Sequence, residues 1–142
     1  MKVFYKNLIK AYSGHCDGLV YYYDPQLDRI LCRRYVKPKE TPQNLRLAAT
    51  MQNLKKLKPS PEFKTDLKYY AAMIRKPGTR ITWQNVYTKM MYAMQRQYDI
   101  NLILLTKSAI YEQQLPCICL RDAIEAGLLE PIEGYHRLDS GI

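Results

Sequence analysis

Leu19-Val20-Tyr21-Tyr22-Tyr23-Asp24-Pro25-Gln26-Leu27-Asp28-Arg29-Ile30-Leu31-Cys32-Arg33-Arg34-Tyr35-Val36 decides the fold class, because two β-branched and aromatic runs flank a segment of turn chemistry. That pattern reads as an antiparallel β-hairpin with strands over Leu19–Tyr23 and Arg29–Val36. Lys37-Pro38-Lys39-Glu40 then closes the second strand, since proline removes a donor from a ladder. Thr41-Pro42 is a helix start, with a capping hydroxyl ahead of a proline whose missing N–H is harmless in the first turn. The spacing predicts a helix from Pro42 to about Leu57 with Leu47, Met51, Leu54 and Leu57 as its buried stripe.

Working outward, Ser60-Pro61 repeats the same start and predicts a second helix with Phe63, Leu67, Tyr70, Ala71 and Ile74 on one face, ended by Lys76-Pro77-Gly78. Thr82 caps a third helix, Trp83 to about Tyr98, whose apolar face holds Trp83, Val86, Tyr87, Met90, Met91, Met94 and Tyr98. That helix is the expected centre of the core. Ile100–Leu105 reads as a buried strand or an extended connection, Thr106 as the cap of a short helix through Glu112, and Leu115–Leu120 as extended. A last short helix, Arg121–Ala126, closes at Gly127, and the tail packs through Leu129, Ile132, Tyr135 and Leu138. Upstream of the hairpin, His15-Cys16-Asp17 between Gly14 and Gly18 reads as a loop or bulge, and residues 3–12 fit a strand or a short helix equally. The fold class is therefore α+β: an N-terminal antiparallel β-hairpin or small sheet packed on about three helices, with a mixed C-terminal tail. The expected organisation is one domain over 1–142, with a hairpin region 1–40, a helical region 41–98 and a mixed tail 99–142.

With 142 residues, 47% of them hydrophobic, the chain can bury a core. Tyrosine occurs 13 times against 2 Phe and 1 Trp, and its apolar body with a polar tip suits half-buried surfaces and interfaces. The formal charge of +9 is uneven: residues 1–80 carry 17 Lys/Arg and 6 Asp/Glu, residues 81–142 carry 5 and 7. A front half of +11 against a back half of −2 fits a polyanion-binding surface, a head-to-tail contact between identical subunits, or simple solubility. No apolar window approaches the roughly 18 residues of a membrane span. The N-terminus lacks the apolar region of a secretory signal, which makes the cytoplasm the default setting, with a particle or extracellular appendage as the alternative.

Ser13-Gly14, Leu19-Val20-Tyr21-Tyr22, Arg34, Val36, Pro38-Lys39, Thr41-Pro42-Gln43 and Arg46 together resemble a loose group of small uncharacterised bacterial proteins, some in prophage-like settings. Their shared pattern is a Ser-Gly start, a Val-Tyr-Tyr strand, an arginine-rich return strand and a Pro-Lys…Thr-Pro…Gln helix start. The likeness covers about a quarter of the chain, and Glu40 departs from it. It implies no activity and points toward a particle or appendage subunit.

Residues that could carry chemistry do not assemble in the sequence. Cys117-x-Cys119 is closer than the two-to-four-residue spacing of structural zinc knuckles, and Cys16 and Cys32 add no second knuckle. No metal and no cofactor is expected, and the two spaced thiols read as small core residues flanking a surface Ile118. A Cys16–Cys32 bridge across the hairpin stays open. His15 and Cys16 face opposite ways on an extended chain, so they make no nucleophile pair. The remaining constellation is basic and aromatic: Tyr21, Tyr23, Arg33, Arg34, Tyr35, Lys37, Lys39, Arg46, Lys55, Lys56 and, beside them, Lys58. The expected function is a non-enzymatic structural or self-assembling subunit, a homo-oligomer using this surface to build a filament or particle, with no small-molecule substrate. The alternative is a nucleic-acid-binding protein that tracks phosphates with these cations and stacks bases on the tyrosines.

Overall fold

Asp17 and Gly18 set the first turn of the structure, a computed structural model that describes residues 13–25, 27–37, 39–77 and 79–142. Both have positive φ, 48° and 72°, as the two central residues of a type I′ hairpin must, and glycine meets that demand without strain. The His15-Cys16-Asp17 segment is thus not a loop. Gly14–Cys16 is a strand, β1, pairing antiparallel with β2, Leu19–Asp24, which pairs antiparallel with β3, Arg29–Arg34. The Asp17-Gly18 dipeptide was the legible signal for this extra strand. The second turn closes with Leu27 N–H on the Asp24 carbonyl at 3.3 Å and Asp28 left-handed at φ 45°. β3 ends at Arg34, two residues before the expected Val36, with one further bond from Tyr35 N–H to the Gly18 carbonyl at 2.7 Å. The undecided reading of residues 3–12 and the roles given to Pro38 and Gly78 lie outside the described residues.

The chain forms two compact units, Met1–Glu40 and Thr41–Ile142, and the fold is α+β. In the second unit three long helices, α1 (Pro42–Lys56), α2 (Pro61–Met73) and α3 (Trp83–Tyr98), precede two short ones, α4 (Lys107–Glu112) and α5 (Leu120–Glu125). Thr41, Ser60, Thr82 and Thr106 each accept a backbone N–H three residues on, which answers one of the orphan donors of its helix. Cys119 does the same for α5 through its sulfur, at 3.4 Å from Asp122 N. α2 packs on α3 with the Phe63 and Tyr87 rings edge to face, 6.4 Å apart.

The core is built from α2 and α3 outward. Phe63, Leu67, Met90, Met91 and Met94 are fully buried, and Tyr70 buries its ring while its hydroxyl donates to the Glu130 carbonyl at 2.8 Å. Four expectations change. Leu47 is 50% exposed, and Thr50 is buried in α1 instead, its hydroxyl returned to the Arg46 carbonyl at 3.0 Å. Trp83 is only half-buried and Tyr98 is 44% exposed, so the α3 face narrows to Val86, Tyr87 and the methionines. Ile100–Leu105 is neither strand nor extended: it turns through Leu102 and Leu105, both buried, with Leu104 turned out. The Asn53 amide fixes that turn by donating to the Leu102 and Leu105 carbonyls, each at 2.8 Å. Leu115–Leu120 also turns rather than extends. Its Cys117 and Cys119 are buried as small core residues, while Ile118 is half-buried. In the tail, Leu129 and Leu138 are buried, and a 3₁₀ turn forms over Tyr135–Arg137. The last residues close against the core, with Ile142 N–H on the Ile118 carbonyl at 2.8 Å and Ser60 donating to the Gly141 carbonyl at 2.6 Å.

Candidate interaction surface

Register sorts the hairpin's tyrosines and arginines onto two faces, because cross-strand partners share a side and neighbours alternate. Tyr21 opposes Cys32 and Gly14, Tyr23 opposes Ile30, and Leu19 opposes Arg34. Tyr21, Tyr23 and Arg34 therefore share one face. Val20 opposes both Arg33 and His15, and Tyr22 opposes Leu31, so Arg33 belongs to the other. Tyr35 continues that second face and lies on the His15 ring with centroids 5.0 Å apart. The sheet thus divides the expected patch instead of presenting it as one plane. Each face combines arginine with tyrosine.

Side-chain environments differ along the patch. The Tyr23 hydroxyl donates to Asp28 at 2.5 Å, and that bond, ahead of desolvation, raises the tyrosine's pKa. Arg33, Arg34, Lys37 and Lys39 are exposed, Tyr35 is 55% exposed and Val36 is 70% exposed. Asp24 is the buried residue of this unit among those described, at 2%. Cys16 and Cys32 are free thiols on β1 and β3 with β2 between them. Two strand spacings of about 4.8 Å put them beyond the roughly 7 Å that a disulfide spans, which closes the bridge the sequence left open.

Arg46, Lys55 and Lys56 lie in the helical unit. Lys55 and Lys56 fall in the last turn of α1, where cations complement the helix dipole, so part of their placement is structural. Arg46 belongs to a different setting: every residue from Pro42 to Ala48 is exposed, Leu45 at 60% and Leu47 at 50%. Leu45 and Leu47, two residues apart, point to different sides of the helix. The first two turns of α1 therefore bury no residue on any side. Sequence reasoning placed Leu47 in a stripe and passed over Leu45. The missed signal was the polarity of this helix start, Pro42-Gln43-Asn44-Leu45-Arg46, which offers no continuous apolar face.

Among the described residues no three His, Cys, Asp or Glu side chains group as a metal site. His136 lies against Tyr135 with ring centroids 3.9 Å apart. Burial pushes the Cys117 thiol up to about 12, away from the thiolate a nucleophile needs, and the Asp17 charge raises Cys16. No helix among the described residues is long and apolar enough to cross a membrane. No family model, curated protein or solved structure matches the chain.

Proposed function

We propose that the protein is a non-enzymatic, self-assembling subunit. The observation that carries this reading is the bare start of α1, Pro42–Ala48, with Leu45 and Leu47 exposed on different sides. A helix segment of two turns is marginal in water without tertiary cover, and two exposed leucines add apolar area that association would remove from solvent at about 25 cal/mol per Å². Insertion of this arm against a second copy supplies the cover. The Tyr- and Arg-bearing faces of the hairpin fit the same role, since both residue types are enriched at the energetic centres of interfaces. A basic front half and an acidic back half favour a head-to-tail contact, which closes into rings or runs into filaments.

Size-exclusion chromatography with light scattering tests the reading. The wild-type chain is expected to assemble without nucleic acid, and both Leu45→Ser/Leu47→Ser and Tyr21→Ser/Tyr35→Ser to reduce it to smaller species. A monomer at all accessible concentrations removes the reading. The exposure of Arg33, Arg34 and Lys37 beside tyrosines supports nucleic-acid binding as the second reading. In that case the isolated chain stays small and binds oligonucleotides with an affinity that falls steeply with salt, and Arg33→Ala/Arg34→Ala lowers the slope by counterion release.

A further inference from the structure

Where α1 turns into α2, the backbone passes Lys58 at a positive φ of 45° and then the buried Pro59, and the start of α3 closes on this corner. Between them lies a groove of about 330 Å³. Its floor is apolar: the buried Leu54 and Tyr87, with the half-buried Met51 and Trp83. Its rim carries Lys55, Lys58 and Lys64, and no carboxylate lines it among the described residues. Lys64 Nζ sits over the Trp83 ring, 5.8 Å from its centroid. None of the three ammonium groups forms an ion pair among the described residues. Three lysines thus border one apolar depression whose described lining holds no counter-charge, a pattern that an anion bearing an apolar body would complete on both counts.

We propose that this groove binds a small amphiphilic organic anion, of the class of a medium-chain carboxylate, with its chain on Met51, Leu54 and Tyr87 and its head group among Lys55, Lys58 and Lys64. Size selects this occupant. The volume is at the small end of ligand sites, which suits one short chain. Charge selects the head group, because the exposed Lys55 and Lys58 and the half-buried Lys64 border the groove with no carboxylate in its lining among the described residues. The molecule is held as a ligand, with no reactive group placed against it. The site belongs to the helical unit alone and is independent of the assembly reading.

Trp83 is the chain's single tryptophan, so its emission reports on the groove. Decanoate and decanol, titrated below their aggregation limits, form a matched pair differing in the head group, and isothermal titration calorimetry gives a second readout. Decanoate is expected to change Trp83 emission saturably and to release heat with one-site stoichiometry. Decanol should bind roughly tenfold more weakly, each of the three lysines contributing about twofold. Lys58→Gln/Lys64→Gln, verified as folded by circular dichroism, should bring the two affinities to within about twofold, the share left to Lys55, while leaving decanol unchanged. Equal affinities in the wild type overturn the proposal, as does saturable binding by neither ligand in both measurements. Emission that follows protein concentration alone and ignores decanoate also overturns it, by assigning the groove to a second copy.

Discussion

Tyrosine behaves differently in the two units, and the contrast separates what holds the chain together from what it offers to partners. In the helical unit Tyr70 and Tyr87 are core residues, at 1% and 5% exposure, interlocked with Phe63, Leu67 and the α3 methionines. In the hairpin unit Tyr21, Tyr22 and Tyr23 are half-buried and Tyr35 is exposed, and no described apolar residue there is buried. A small sheet with two half-covered faces gains little from internal burial, whereas a helix pair with a continuous apolar seam gains most of its stability that way. Among the described residues, apolar burial is therefore concentrated in the second unit.

The sharpest way to break this comparison is to truncate one aromatic residue in each unit. Phe63→Ala, at full burial, is expected to cost about 3–5 kcal/mol in urea denaturation. Tyr22→Ser, which removes one cross-strand pair, should cost about 1 kcal/mol or less. Equal costs would mean that the hairpin shares the core's cooperativity.

Alkaline titration probes the same interior. The Cys117 thiol, ordinarily near 9.0, is raised to about 12 by burial, and burial also raises Tyr87, whose hydroxyl is enclosed without a hydrogen-bond partner among the described residues. Below pH 9 the thiol is neutral folded and unfolded, so it exerts no pH dependence. Between about 9 and about 12 only the unfolded chain releases the proton, so stability falls as pH rises, by about 1.4 kcal/mol per pH unit for this thiol. Cys117→Ala should flatten that part of the profile, measured as denaturation midpoints against pH. An unchanged slope would place the alkaline sensitivity elsewhere.

Two caps of like chemistry sharpen the contrast inside the helical unit itself. Ser60 holds Phe63 N–H at 3.1 Å and also donates to the Gly141 carbonyl, so Ser60→Ala is expected to cost about 1–2 kcal/mol in thermal or urea melts. Thr41 holds Asn44 N–H at 3.2 Å at the head of the bare arm. Its removal should fray the arm in hydrogen exchange while shifting global stability by less than about 0.5 kcal/mol. A large global cost at Thr41 would mean that the arm is packed in solution.

Local chemistry explains why so much of the architecture could be read in advance. Hydroxyl caps before Pro42, Pro61, Trp83 and Lys107 act over three residues, and the Asp-Pro turn between β2 and β3 acts over four, so neither needs a distant partner. The apolar period of α2 and α3 likewise names Phe63, Leu67, Tyr70, Met90 and Met94 as core before any fold is known. Periodicity fails at Leu47, because a spacing can show which face would be buried but not whether anything lies opposite. Trp83 fails for the same reason. Its side is the correct one, yet the α1–α2 corner stops short of covering it and leaves the groove.

The proposed surface was legible as residue types and not as an arrangement. Arg33, Arg34, Tyr21, Tyr23 and Tyr35 stand out by composition alone, but their division between two faces follows from the β2–β3 register, which the turn between Asp24 and Arg29 sets. The lysines of the groove lie nine residues apart from Lys55 to Lys64, and only the reversal at Lys58 and Pro59 turns them toward one depression. Sequence by itself determined the α+β class, the helix starts, the central methionine seam and the uneven charge, since these depend on contacts within a few residues or on simple counting. Tertiary structure alone decided which leucines stay exposed and where the three lysines border one groove, because burial is set by elements distant in the chain.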